Sequence, residues 1–205
     1  MKKYISLAMM TIAFSFGFVA CSVETDEEPG GTNVQNMAGR WVVSVAQVDE
    51  AGKVVFEPED LFGAIDIDLF TYNTADNAST EMWIDDRGNF WAFKFKVPIN
   101  YANGTFSATA IPYDANNQAI ADAIAAGETP VDEDGNPVDE DGNPLVAETA
   151  TITDGKILYG QGHNIHGMPT DSIAFYVTFT DDSYGARYGY AKHLVTGTRY
   201  SGFYE

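Results

Sequence analysis

An all-β domain is what this sequence predicts: an antiparallel barrel of about 8–10 strands or, alternatively, a β-sandwich. Three observations carry the prediction. The hydrophobic period is two from Gly39 onward, turn residues punctuate the alternating runs, and there is a single helix candidate. Of the 205 residues 45% are hydrophobic and 13% aromatic, enough to build a core despite a formal net charge of −19. That charge excludes a nucleic-acid groove and a basic membrane-surface patch, since both need Lys and Arg to face phosphates.

The first strand spans residues 40–49, with Trp41, Val43 and Val45 on one side. Residues 64–73 alternate cleanly, Ile65, Ile67 and Leu69 against Asp66 and Asp68. Residues 80–84 follow, then the turn Asp85-Asp86-Arg87-Gly88. Residues 89–100 read as the longest strand, with Trp91, Phe93, Phe95 and Val97 on one face and Lys94 and Lys96 on the other. Asn103-Gly104 signals a type I′ hairpin into residues 105–111. The helix candidate is 116–126, capped by Asp114 and ended by Gly127. Later strands fall at 147–153, at 156–160 after the turn Asp154-Gly155, and at 172–180, where Ile173, Phe175, Val177 and Phe179 share a face. Two closing segments cover 187–195 and 198–204.

The first 38 residues are of another kind. Met1-Lys2-Lys3 precedes an uncharged apolar run over 4–20, and Phe18-Val19-Ala20-Cys21 resembles a lipobox. Residues 1–20 are therefore expected to be a lipoprotein signal peptide, with Cys21 the lipid anchor and mature N-terminus. Lipidation also accounts for the single cysteine, which has no internal partner. Residues 21–38 read as a flexible acidic tether spanning roughly 20–24 Å. The single domain is 39–205, with an insertion at 113–146. The expected location is the bacterial outer membrane, on its periplasmic or cell-surface face.

Within the insertion Val131-DEDGNP is followed at once by Val138-DEDGNP. Asp132, Asp134 and Asn136 match the opening positions of a calcium loop, but Pro137 stands where its sharp-turn glycine belongs. A duplicated solvated turn is the better reading. No metal site or cofactor is expected, although His163 and His166 have a spacing that could face a metal. Catalytic motifs are absent: no G-x-S-x-G, H-E-x-x-H or Walker loop occurs. A hydrolase acting on a lipid or ester would have to use Asp85, Asp86 or Ser172 with a histidine. A module presenting exposed aromatics to glycans or proteins is a third class. The leading expectation is a binding barrel. Trp91, Phe93, Phe95, Phe175, Val177 and Phe179 are the candidate lumen residues, chosen by alternation. Its partners are a small apolar or lipid-like ligand and, through Cys21, the membrane. Burying about ten methylenes would contribute roughly 8 kcal/mol.

Several segments resemble one family. They are Ser79–Asp86 (STEMWIDD), Gly88-Asn89-Phe90-Trp91 with Phe93-Lys94 and Lys96-Val97, and Gly39-Arg40-Trp41-Val42-Val43. Ile152-Thr153 with Gly155-Lys156, Gly167-Met168-Pro169 with Asp171-Ser172-Ile173, and Gly197–Phe203 (GTRYSGF) complete the set. Together they resemble the bacterial lipoproteins called lipid-binding putative hydrolases. The resemblance implies a lipocalin-like, calycin-type barrel and carries over no catalytic residue.

Overall fold

Alternation along Gly39–Val48 (β1) turns Trp41, Val43 and Val45 inward, where none is more than 2% exposed. A computed structural model describes residues 30–60, 64–164, 166–190 and 192–202. Its strands belong to one unit, Thr32–Glu205. After β1 come Val54–Phe56 (β2), Ile67–Tyr72 (β3), Glu81–Asp85 (β4), Lys94–Asn100 (β5) and Thr105–Pro112 (β6). A helix, Ala115–Ala126 (α1), leads toward Thr149–His163 (β7) and Pro169–Phe179 (β8). A short helix, Ser183–Tyr188 (α2), precedes Lys192–Arg199 (β9).

Every sequential pair from β3 to β9 is antiparallel and adjacent, and β9 returns to β1 from Trp41↔Arg199 to Val48↔Lys192. Since β9 occupies one edge of β1, β3 and β2 must share the other, β3 opposite residues 39–43 and β2 opposite Gln47 and Val48. The result is a closed eight-stranded barrel with β2 as an extra strand. Closure removes the unpaired edges that an open sandwich would leave. The seam requires glycine at 197: a Cβ there would strike the Val42 carbonyl and Val43.

The core is side chains. Trp41, Leu69, Met82, Ile84, Ile152 and Phe175 are all 2% exposed or less. The Trp41 indole donates to Thr71 Oγ1 at 2.8 Å, and that hydroxyl donates to the Met37 carbonyl at 2.6 Å. Val34 and Met37 have no exposure at all. The folded body therefore begins by Thr32, a correction to the tether expected over 21–38: two apolar side chains in its last turn are core residues. Cys21, the signal peptide and the first half of that tether, residues 21–29, lie outside the described residues.

Other expectations are corrected locally. The strand expected from 89 begins only at Lys94, because Asp86 holds residues 88–92 in a loop and Ala92 has φ 57°. Asp154-Gly155 is a bulge inside β7 rather than a turn: Thr153 opposes Tyr176 and Lys156 opposes Ala174, one residue extra. Gly155 is required there, since a Cβ would meet the Phe106 ring. The Asn103-Gly104 hairpin exists, but its loop is four residues with only Gly104 at positive φ, so it is not type I′. Ile65, expected inward, is 37% exposed because Asp66 at φ 53° breaks the alternation. In place of the two closing segments expected at 187–195 and 198–204 there is one strand, β9, running from the first into the second, with α2 ending before it at Tyr188. Helix α1 has the expected caps, Asp114 accepting from Asn116 and Asn117 N–H and Gly127 at φ 68°.

Candidate functional site

The floor of the site begins with Asp86, 2% exposed. Its Oδ2 accepts from the backbone N–H groups of Phe90, Trp91 and Ala92 at 2.8 to 3.0 Å, and Oδ1 accepts from Gly88 N–H at 3.0 Å. Four charge-assisted hydrogen bonds fix the loop that delivers Trp91 to one end of the barrel. There the indole lies parallel to Phe179, 4.7 Å between centroids and 4° between planes. Its N–H donates to the Asp181 carboxylate, 2.9 Å to Oδ1 and 3.1 Å to Oδ2. The Tyr113 hydroxyl stands 2.8 Å from Asp181 and 2.7 Å from Glu148. Burial, then these two carboxylates, push that phenol far above its ordinary value.

Above this floor is a cavity of about 410 Å³. Gln47 at the end of β1, Phe56 on β2, Trp91 and Tyr184 on α2 form much of its wall. Asp60, Asp181 and Asp182 supply its acidic groups, and Ser183 and His193 also line it. His193 pairs in register with Gln47 and Val177 and is 1% exposed, with the Phe90 ring edge-on at 5.2 Å. Burial lowers its pKa and outweighs the opposing pull of Asp182, so the imidazole is held neutral. Asp182 is 5% exposed. Its Oδ1 caps α2 by accepting from Gly185 N–H at 2.7 Å, whereas Oδ2 is buried without a hydrogen-bond partner, 3.7 Å from His193 Nε2. His193 Nδ1 is likewise buried and unpartnered.

Of the six lumen candidates, Trp91 lines the cavity. Phe93, Phe95, Phe175, Val177 and Phe179 are packed into the core, each at most 4% exposed. A void beneath, among Val43, Leu69, Phe93 and Val195, is about 10 Å³, room for one water at most. An eight-stranded interior is just wide enough to be filled by side chains, and aromatic residues fill this one. Sequence reasoning missed Gln47, Asp181, Asp182, Tyr184 and His193 as site residues. The available signal was Asp181-Asp182-Ser183 straight after a strand with Gly189 beyond, the marks of a short capped helix.

The hydrolase constellation does not assemble. Asp85 accepts from Tyr72 O–H and Arg87 N–H at 2.9 Å each, and Asp86 is spent on its loop. Ser172 is five residues along β8 from Val177, the register partner of His193, and on the opposite face. His163 and His166 are exposed near the start of β8, at the far end of the barrel. Among the described residues no serine hydroxyl is hydrogen-bonded to His193, no three His, Cys, Asp or Glu side chains could hold a metal ion, and no helix is long and apolar enough to cross a membrane. The Asp132 and Asp139 carboxylates accept from the N–H groups and amides of their own repeats, two identical Asx turns. Tyr184 and Tyr188 are exposed 4.7 Å apart but tilted 49°, not the flat platform that stacks on sugar rings. A larger groove of about 730 Å³ lies outside the barrel beneath α1, yet its Lys94 and Lys96 face Asp85 at 4.0 Å and Glu81 at 2.9 Å.

A closed antiparallel barrel with a ligand-sized cavity at one end is a lipocalin-like binding scaffold. The sequence model of the family described as lipid-binding putative hydrolase matches residues 26–204, and the chain belongs to that family. No curated protein matches it. Family and barrel together support a lipid-binding role.

Proposed function

We propose that this protein holds a small apolar or amphipathic ligand in the cavity at the His193 end of the barrel, and that lipid on Cys21 tethers it to the outer membrane. The observation that carries the reading is the cavity itself, about 410 Å³ with Phe56, Trp91 and Tyr184 on its wall. That volume falls within the range of small-molecule sites. The packed interior below limits how much chain can enter. Burying about six methylenes contributes roughly 5 kcal/mol, little better than millimolar binding. Ring contacts and the polar groups at the rim therefore set the affinity.

Protein purified from cells and examined by native mass spectrometry and lipid extraction should carry a bound species. Trp91→Ala should lose it while keeping its fold, because Trp91 is only half-buried and lies outside the strands. A wild-type protein that is empty and takes up no added amphiphile would overturn the reading. Cys21→Ser should move the protein from the membrane to the soluble fraction. Persistence of that variant in the membrane fraction would refute the anchor.

A further inference from the structure

We infer that the pole of the barrel opposite the cavity rests on the lipid head groups of the leaflet that holds the anchor, so that the cavity opens away from that leaflet. This rests on the proposed lipid at Cys21, and it gives the proposed ligand a direction of entry, from the aqueous side. Register fixes the two ends. Gln47 and His193 pair at the cavity end, whereas Gly39↔Thr71, Asn100↔Thr105 and His163↔Pro169 lie at the other. The chain enters the folded body at that second end. Asn33 N–H donates to Asn77 Oδ1 at 2.9 Å, and Asn36 N–H to the Tyr101 hydroxyl at 3.3 Å. Cys21 precedes Thr32 by eleven residues. A chain of that length without regular structure spans roughly 18 Å on average. A ten-residue strand such as β1, tilted in a barrel, runs about 25 Å.

Charge separates the same two ends. The segments at the anchor end, residues 32–38, 73–80, 101–104 and 164–168, hold a single carboxylate, Asp76. The β6–β7 connection, 113–148, leaves and returns at the cavity end through the Pro112↔Thr149 pair, and it holds ten carboxylates with no lysine or arginine. Residues 49–60, which lead through β2 to the cavity wall, add five carboxylates against one lysine. An anionic leaflet therefore repels the cavity end far more than the other. The tether's own Glu24, Asp26, Glu27 and Glu28 add to that repulsion. The anchor end also carries the side chains that head groups accept. Met168 on the β7–β8 turn is exposed, as is Tyr159, whose ring lies over Gly104 in the β5–β6 turn. Tyr184 and Tyr188 are equally exposed at the cavity end, but they follow Asp181 and Asp182.

The test uses the acylated protein, purified from membranes and placed on phosphatidylcholine vesicles containing phosphatidylglycerol and a lipid with a nitroxide on its head group. Acylation blocks Cys21, so a thiol-reactive fluorophore goes only to an introduced cysteine. Asn103→Cys places it in the β5–β6 turn and Tyr188→Cys at the cavity end, both at exposed positions. The nitroxide lipid should quench the label at 103 at least threefold more than the label at 188. Equal quenching, or more at 188, in protein that floats with the vesicles would overturn the orientation and leave the anchor and cavity readings standing. Protein whose Cys21 carries no lipid and that stays off the vesicles would overturn the anchor and this inference together.

Discussion

Single buried carboxylates decide how this end of the barrel is built. Asp86 spends both oxygens on backbone N–H groups, so it acts as the anchor of the Trp91 loop rather than as an acid or base. Asp182 caps α2 with one oxygen and stands 3.7 Å from the buried His193 Nε2 with the other. His193 gives this scale its measurable consequence. Its folded-state pKa lies below the ordinary 6.5, because burial disfavours the imidazolium more than Asp182 favours it. The unfolded chain therefore takes up a proton that the folded chain resists. Stability is undiminished above pH 6.5 and is lost as the pH falls below it. Urea midpoints at pH 7.5 and pH 5.5 should diverge more for the wild type than for His193→Gln. Equal divergence would mean that His193 protonates as easily folded as unfolded.

Among the elements, the inner strands were legible because alternation reports burial directly: Ile173, Phe175, Val177 and Phe179 on β8 all face inward. The caps of α1 were legible too, Asp114 and Gly127 being local signals with local causes. The Trp91 loop was hidden because Trp91-Ala92-Phe93 shows the same alternation whether extended or curled around Asp86; what curls it is a side-chain bond that the pattern does not contain. Helix α2 was missed because six residues offer no period, and the cavity residues because they come from strand ends that meet only on closure. Closure itself turns on Gly197. Gly197→Ala, which forces a methyl group against the β1 backbone, should cost about 1–3 kcal/mol, read as a lower thermal midpoint. An unchanged midpoint would mean that the β1–β9 seam is looser than its register implies.

At the level of the whole molecule, the barrel divides into a filled body and one open end. Phe93, Phe106 and Phe175 occupy the interior, and the void of about 10 Å³ between Val43, Leu69, Phe93 and Val195 takes no ligand. The open end combines an aromatic wall with the carboxylates of Asp60, Asp181 and Asp182, whereas the larger groove beneath α1 offers lysines already facing carboxylates. The most direct measurement is a ¹⁵N–¹H spectrum of the protein titrated with decanol, a probe with no charge to bias the outcome. The account predicts shifts of the Trp91 indole N–H and of the Asp181, Asp182, Tyr184 and His193 amides. Shifts confined to Trp83, Lys94 and Lys96 on the outer wall, or none anywhere, would contradict it.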